Sequence, residues 1–120
     1  MLVAVKRNAG DIVALGVVKR QRPAYAADKA AKAGFGFDKN IHEIGYVAVR
    51  ESHKGQHLSR QIVQSFLAEV PCRPLFATTS SDRMKATLRY TGFERQGNEW
   101  PAPRGNVLSL WIKTVAMGTR

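Results

Sequence analysis

The protein has 120 residues, of which 44% are hydrophobic, and this composition is typical of one globular domain and excludes a disordered or fibrous chain. Its 19 Lys and Arg residues outnumber 9 Asp and Glu residues, and the formal charge of +10 indicates either an acidic partner, such as nucleic acid, an acidic protein or a polyphosphate cofactor, or simply a solvated basic surface. A single cysteine, Cys72, excludes an internal disulfide framework and indicates a reducing compartment.

The first twenty residues predict a β-hairpin. The segments MLVAVK and DIVALGVVK are rich in Val, Leu and Ile, and the intervening RNAG contains turn-forming Asn and Gly. Lys6, Arg7 and Asp11 interrupt the apolar runs, so this segment is neither a signal peptide nor a membrane span. We therefore expect a cytoplasmic protein without a membrane partner.

A short helix and a third strand are predicted next. Pro23 suits the first position of a helix, the residues after it are rich in Ala, and Gly34 suits the C-terminal stop. After the loop GFGFDKN, the segment IHEIGYVAV has the composition of a strand.

The polar loop RESHKGQHLS then leads into an amphipathic helix. The apolar residues after the loop recur at helical spacing and define one face: Leu58, Ile62, Val63, Phe66 and Leu67. The first amides of a helix have no partners within it, and the helix dipole adds partial positive charge there. The loop and helix start are therefore suited to binding a phosphate.

The remaining chain continues the alternation of strands and helices. PLFATT predicts a fourth strand, and SSDRMKATLRYTGF predicts a helix with Met84 and Leu88 towards the core and Gly92 as its stop. FERQGNEWPAPRGNVLSLWIK predicts two strands joined by a loop, with Trp111 in the core. We expect a single α/β domain over residues 1–120, with a mixed sheet flanked by helices.

Two of these segments resemble the hallmark motifs of the GNAT superfamily of acetyl-CoA-dependent N-acetyltransferases. KGQHLS takes the place of the family loop Gln/Arg-x-x-Gly-x-Gly/Ala, and TTSSDRMKATLRYTGFE resembles the family's strand, helix and terminal Gly-Phe. The two motifs occur in the correct order over residues 43–94. The resemblance implies the acyl-CoA N-acyltransferase fold, a mixed and largely antiparallel sheet, here lacking the usual first strand and first two helices.

Three positions depart from the family pattern. Lys54 replaces the usual Gln or Arg, His57 replaces the central glycine, and Leu88 replaces the usual tyrosine, with Tyr90 two residues away. The His57 side chain would either obstruct a pyrophosphate or add an imidazole contact to it. The missing elements normally help to form the acceptor wall, so we expect residues 23–33 or a homodimer to replace that wall.

The resemblance implies transfer of an acetyl group from acetyl-CoA to a primary amine, which the sequence does not identify. In the family, the pyrophosphate rests on the loop and helix start, and the pantetheine arm pairs with the preceding strand. The cofactor-binding residues implied here are Val47, Ala48, Val49, Lys54, Gly55, Gln56, His57, Leu58 and Ser59.

Two residues are candidates for catalysis. An acceptor ammonium must lose a proton before it attacks, so the reaction requires a base. The position of Glu43 resembles that of the glutamate base in the histone-acetyltransferase branch of the family. A surface glutamate at a strand end is the alternative. Tyr90 is the candidate proton donor to the departing thiolate, with a packing role as its alternative. Backbone amides of residues 47–49 would polarise the thioester carbonyl.

Other polar and aromatic residues have simpler interpretations. No carboxylate or cysteine completes a metal set with His42, His53 and His57, so we expect no metal. Cys72 is interpreted as an inert thiol. Trp100, with Arg104 nearby, either lines an acceptor site or belongs to a proline-stiffened hairpin.

Two hypotheses of a different class remain open. One is a non-catalytic GNAT-like module that binds nucleic acid or another acidic macromolecule, and the other is a regulatory protein whose fold is completed by a partner. The candidate contacts to an acidic macromolecule are basic residues in and around the two predicted helices: Arg20, Arg22, Lys29, Lys32, Arg83, Lys85 and Arg89.

Overall fold

The computed structural model of the protein describes residues 1–38, 40–70 and 73–114. Within these ranges the chain forms six strands, three α-helices and one short 3₁₀ turn at Glu51–His53. In chain order the strands and α-helices are β1 (Leu2–Asn8), β2 (Asp11–Lys19), α1 (Pro23–Ala33), β3 (His42–Val49), α2 (Leu58–Glu69), β4 (Leu75–Thr79), α3 (Asp82–Tyr90), β5 (Glu94–Pro101) and β6 (Val107–Lys113). Cys72, which was interpreted as an inert thiol, lies outside the described residues.

The strands form one sheet in the order β1-β2-β3-β4-β6-β5. The pair β3 and β4 is parallel, and the other neighbours are antiparallel. The expected mixed and largely antiparallel α/β sheet is therefore confirmed. None of the helices in the described ranges is long and apolar enough to cross a membrane.

The two parallel strands separate soon after they meet. Their last pair joins Glu43 to Phe76, after which β3 continues to Val49 and β4 to Thr79. No further pairing between them is present in these described strands. The sheet therefore has a gap at its centre, with an unpaired edge of β3 on one side.

The N-terminal hairpin is confirmed, and its turn is tighter than the sequence indicated. Asn8 pairs with Asp11, so the turn consists of Ala9 and Gly10 alone. Both have positive φ, 54° for Ala9 and 88° for Gly10, as a two-residue turn of the type I′ kind requires. Alanine rarely adopts this conformation, so the strand pairing must hold it there.

Helices cover the two faces of the sheet differently. On one face, called here the α2/α3 face, Ile62, Phe66 and Leu88 pack on strand residues that include Leu75 and Trp111. On the opposite α1 face, α1 packs against a second cluster that includes Phe76, Trp100, Leu110 and Ile112. Because side chains alternate along β4, Leu75 and Phe76 belong to different clusters.

Helix α1 begins and ends where the sequence predicted. Pro23 lies in its first turn, and Gly34 ends it in the left-handed conformation with φ 66°. Ala26 and Ala33 are fully buried against the sheet, and Trp100 is only 6% exposed beneath the helix. Trp100 therefore packs in the core of the α1 face.

Helices α2 and α3 also follow the sequence pattern. Ile62, Val63 and Phe66 form the buried face of α2, as predicted. The α3 cap is Ser81, whose hydroxyl oxygen accepts a hydrogen bond from the Met84 amide at 3.1 Å. Phe93 is buried behind the end of α3, beside the α2/α3 core.

Candidate functional site

A cleft of about 490 Å³ lies between the free end of β3 and the starts of α2 and α3. The residues that line it and that the sequence analysis named are Val47, Ala48, Val49, Lys54, Gly55, His57, Leu58 and Ser59. Six further lining residues were missed: Arg60, Ser81, Arg83, Met84, Ala86 and Thr87. They come from the first turn of α2 and from α3 with its N-cap, and only the packing of α3 beside α2 brings the two sets together.

The loop before α2 turns twice in the left-handed conformation. Gly55 has φ 90° and lies in a turn, as expected, and His57 has φ 58° and ψ 29° at the N-cap of α2. The first backbone bond of the helix runs from the Gln61 amide to the His57 carbonyl at 3.1 Å. The amides of residues 58–60 consequently precede the regular hydrogen-bond pattern of the helix.

The starts of α2 and α3 differ in how their amides are satisfied. Helix α3 has the Ser81 cap and Asp82 in its first turn, so a side chain and a negative charge both complement its dipole. Helix α2 has neither a side-chain cap nor an acidic residue in its first turn. Its N-terminus is therefore open to an external anion.

Basic side chains surround this open helix start. Lys54, Arg60 and Arg83 line the cleft, and Lys54 Nζ also lies 3.5 Å from Glu51 Oε1. The Arg60 guanidinium carbon lies 3.6 Å from the ring centroid of Tyr90, and the Arg60 Nε is buried without a hydrogen-bond partner among the described residues. The cleft thus combines helix amides with positive charge, an arrangement suited to a phosphate-bearing ligand.

The other candidate residues near the cleft occupy different positions. Gln56 is exposed and is not part of the cleft lining, and Tyr90 is 61% exposed beneath the Arg60 guanidinium, also outside the lining. Leu88, at the position of the usual family tyrosine, is fully buried in the core. The structure therefore places neither Leu88 nor Tyr90 on the cleft surface.

Glu43 lies on the α1 face, at the base of the gap between β3 and β4. Only 3% of it is exposed, so the alternative of a surface glutamate is wrong. Gln21 Nε2 donates a hydrogen bond to Oε1 of Glu43, and the Tyr25 hydroxyl donates to Oε2 at 3.2 Å. Burial raises the pKa of Glu43 above 4.5, and its two hydrogen bonds and the charge of Lys19 oppose that rise.

Tyr25 reaches Glu43 from α1 and is itself strongly perturbed. Burial, reinforced by the negative charge of Glu43, raises the pKa of Tyr25 to about 12. The hydroxyl of Thr78 acts in the opposite direction as a hydrogen-bond partner of Tyr25. Sequence analysis missed Gln21 and Tyr25, because no local pattern indicates that they lie beside Glu43.

The histidines have separate partners. His53 Nε2 lies 3.0 Å from Asn8 Nδ2, and Arg73 Nη1 donates to His42 Nδ1 at 2.9 Å. Partial burial, with the nearby Arg73 charge, lowers the pKa of His42. Over residues 1–38, 40–70 and 73–114, no group of three or more His, Cys, Asp or Glu residues is arranged to hold a metal ion.

No protein-family model matches the sequence, and no curated protein matches it significantly. Solved structures do match, and three of them are acetyltransferases that are each longer than this chain. A histone acetyltransferase HPA2 and related acetyltransferase from Corynebacterium glutamicum is 21% identical with a TM-score of 0.74, over 98% of this chain and 66% of the other.

A ribosomal-protein alanine N-acetyltransferase from Escherichia coli is 15% identical with a TM-score of 0.68, over 99% of this chain and 72% of the other. A GNAT family acetyltransferase from Elizabethkingia anophelis, with acetyl-CoA bound, is 13% identical with a TM-score of 0.63, over 93% of this chain and 74% of the other. This chain spans between 66% and 74% of the lengths of these three proteins, and less than two thirds of the first. The similarity extends over nearly all of this chain, which therefore has the GNAT acetyltransferase fold.

Proposed function

We propose that the protein is an N-acetyltransferase that binds acetyl-CoA in the cleft and transfers the acetyl group to a primary amine. The observation that carries this proposal is the open start of α2 beside the unpaired edge of β3, within one basic cleft. A similar structure with acetyl-CoA bound supports the choice of ligand.

The residues present fit this cofactor. The amides of residues 58–60 and the side chains of Lys54 and Arg83 would hold its phosphates. Helix-start amides and basic side chains both donate hydrogen bonds to phosphate oxygens, and the negative charge of the phosphate strengthens these bonds. The free edge of β3 at Val47–Val49 would hold the extended pantetheine arm, as an added strand is held. Gln56 would contribute through the loop backbone, since its side chain lies outside the lining.

Acetyl transfer would require three chemical roles. When bound, acetyl-CoA supplies an acetyl group activated as a thioester. Backbone amides at residues 47–49 would stabilise negative charge on the carbonyl oxygen, and Glu43 would take the proton that the acceptor ammonium must lose. Water would protonate the thiolate that leaves, because Tyr90, the other candidate donor, lies outside the cleft lining.

Calorimetry with acetyl-CoA tests the proposal. We expect saturable binding and selective NMR shifts at residues 54–59. Arg83→Ala should weaken binding about tenfold, because a hydrogen bond to a charged group contributes roughly 1.5 kcal/mol or more. Lys6→Ala is the matched control, since Lys6 lies on β1 and is not part of the cleft lining.

The outcomes separate the competing functions. An absence of saturable binding at millimolar acetyl-CoA would remove the enzyme hypothesis. Binding without acetyl transfer to any amine tested would favour the non-catalytic module. Equal losses in Arg83→Ala and Lys6→Ala would show that general charge, and not the cleft, attracts the ligand.

A further inference from the structure

The buried carboxylate of Glu43 lies against the point where the sheet opens. The register changes between β2 and β3, because Val17 pairs with Tyr46 and Val18 with Ile44, which leaves Gly45 as an extra residue. A Cβ atom on Gly45 would lie 3.5 Å from Glu43 Oε1. The glycine therefore leaves the bulge backbone bare beside the carboxylate, next to the last pair between β3 and β4.

Both oxygens of this carboxylate are already engaged on the α1 face. Gln21 holds Oε1 and the Tyr25 hydroxyl holds Oε2. Glu43 is 3% exposed, whereas Tyr25 is half-buried, so the tyrosine is accessible to a ligand that cannot reach the carboxylate directly. Thr78, which is beyond the last residue of β4 paired with β3, is also a partner of the Tyr25 hydroxyl.

The cleft and the Glu43 cluster lie on opposite sides of the gap. The cleft is lined by the starts of α2 and α3, which pack on the α2/α3 face. Glu43 and Tyr25 lie on the α1 face. An acetyl donor in the cleft and an acceptor on the α1 face would therefore meet through the gap, without competing for one entrance.

Resting on the proposed acetyl transfer, we propose that Tyr25 is a catalytic residue that contacts the acceptor amine on the α1 face and relays its proton to Glu43. The Tyr25 hydroxyl donates its hydrogen to Glu43, and beside the lone pair that Thr78 occupies its oxygen keeps one that can accept a hydrogen from an ammonium. Gln21 is a positioning residue, because it holds the other carboxylate oxygen.

The proton transfers balance as follows. The acceptor ammonium gives one proton to the Tyr25 oxygen as the Tyr25 proton passes to Glu43 Oε2, so Tyr25 stays neutral and Glu43 becomes a carboxylic acid. The neutral amine then forms the C–N bond as the C–S bond breaks, and the second amine proton passes through water to the sulfur. Glu43 returns its proton to water through Tyr25 after the product leaves.

The charges around the pair are consistent with this relay. Tyr25, with its pKa near 12, stays protonated at neutral pH, and burial makes Glu43 a stronger base than an exposed glutamate. The charged groups that face the pair are Lys19 from β2 and Asp28 and Lys29 from α1; Lys29 Nζ lies 4.8 Å above the Tyr25 ring. The charges of the two lysines lower the pKa of Glu43 and so partly offset the effect of burial.

Steady-state kinetics of Tyr25→Phe test the relay. The probes are phenylethylamine, spermidine and a peptide with a free N-terminal alanine, each with saturating acetyl-CoA. With whichever amine the parent acetylates, we expect kcat to fall about a hundredfold, since a positioned proton acceptor contributes roughly that much or more. Acetyl-CoA affinity should stay unchanged, and the deficit should shrink as pH rises because solution supplies more neutral amine.

The double variant and a matched control make the test specific. Tyr25→Phe combined with Glu43→Gln should lose no more activity than Glu43→Gln alone, because residues of one relay act as a unit. Tyr46→Phe removes a hydroxyl from an exposed tyrosine of β3 and should keep parental kinetics. Amine added to the acetyl-CoA complex of the parent should shift the NMR signals of the Tyr25 ring, a readout that requires no variant to fold.

The contrary results are distinct. Parental kcat in Tyr25→Phe across pH, multiplicative losses in the double variant, or an unshifted Tyr25 ring would overturn the relay and leave the acetyl transfer standing. Acetyl-CoA binding without transfer to any of the amines would overturn the relay as well. Failure of the parent to bind acetyl-CoA would remove the proposed function and the relay together.

Discussion

The environment of Glu43 is set by tertiary contacts. The carboxylate is removed from water under α1, and Gln21 and Tyr25 supply two hydrogen bonds in compensation. Burial has the larger effect, because the net change in the pKa of Glu43 is upward. The folded protein therefore binds a proton at Glu43 more tightly than the unfolded chain does.

This binding difference makes stability depend on pH. Tighter proton binding by the folded state stabilises the protein. This contribution is fully present below pH 4.5, the ordinary pKa of the carboxyl, and is lost as pH rises through the higher pKa of the folded state. The free energy of unfolding of Glu43→Gln, minus that of the parent, should therefore increase from acid to neutral pH. Each pKa unit corresponds to about 1.4 kcal/mol.

Urea unfolding at a series of pH values measures this difference. The comparison at the most acidic pH serves as the internal control, because there the parent side chain is neutral like glutamine. A difference that stays constant with pH, or that decreases towards neutrality, would contradict a raised pKa at Glu43.

The left-handed backbone conformation of His57 has a cost in stability. A non-glycine residue in the left-handed conformation costs about 1–2 kcal/mol, and glycine loses about 0.5–1 kcal/mol more chain entropy on folding. His57→Gly should therefore stabilise the protein by about 0.5–1 kcal/mol. If the cleft binds acetyl-CoA as proposed, the variant should also bind it more tightly, because the bare backbone allows closer approach of the pyrophosphate.

Ala9→Gly is the matched control for this change. Ala9 has φ 54°, close to that of His57, but it lies in the β1–β2 turn. Thermal unfolding should show a similar gain for both variants, and calorimetry should show a change in acetyl-CoA affinity for His57→Gly alone. Weaker binding by His57→Gly would instead indicate that the imidazole contacts the ligand.

At the scale of elements, the position of α2 depends on a glycine in β2. A Cβ atom on Gly16 would lie 2.5 Å from Ile62 Cγ2 and 3.0 Å from a Phe66 ring atom. Both atoms belong to fully packed side chains on the buried face of α2. The absence of a side chain at Gly16 therefore sets how closely α2 approaches the sheet, and with it where the start of α2 lies in the cleft.

Gly16→Ala should destabilise the protein by about 1–3 kcal/mol, the usual cost of an overpacked core. Denaturant unfolding measures the effect. Gly36→Ala is the control, because a Cβ atom there would meet no atom within 4 Å and should change stability little. Equal stabilities for the two variants would mean that α2 moves away from β2 without cost.

At the scale of the whole molecule, the basic residues do not form one continuous surface. Four of the seven candidates precede or belong to α1, and three belong to α3, and these helices cover opposite faces of the sheet. Several are also engaged within the protein: Lys32 Nζ lies 3.3 Å from Asp28, and Lys85 Nζ lies 3.6 Å from Glu99. One nucleic-acid strand would therefore contact at most one of the two groups.

The salt dependence of nucleic-acid binding follows from this division. With at most about four phosphate contacts, the slope of log affinity against log salt should be about −3.6, so affinity should fall by no more than about two decades from 50 to 200 mM salt. Fluorescence anisotropy with duplex DNA and structured RNA measures it. A loss of three to five decades would require contacts from both faces, and an absence of binding at low salt would remove this hypothesis.

The sequence alone determined the elements and their order. Turn glycines, Pro23 and the spacing of apolar residues act locally, so they predicted the hairpin, α1, the apolar face of α2 and the end of α3 at Gly92. The polar loop between β3 and α2 was identified for the same reason, since an open helix start is a property of adjacent residues.

Only the tertiary structure decided which distant side chains meet. Gln21 and Tyr25 reach Glu43 because α1 folds back over the sheet, Arg60 covers Tyr90 because α3 packs beside α2, and Trp100 is buried because α1 lies above it. The sequence spacing of these residues carries no signal of contact. Their proximity depends on where strands pair and helices pack, and those positions are fixed by the whole core at once.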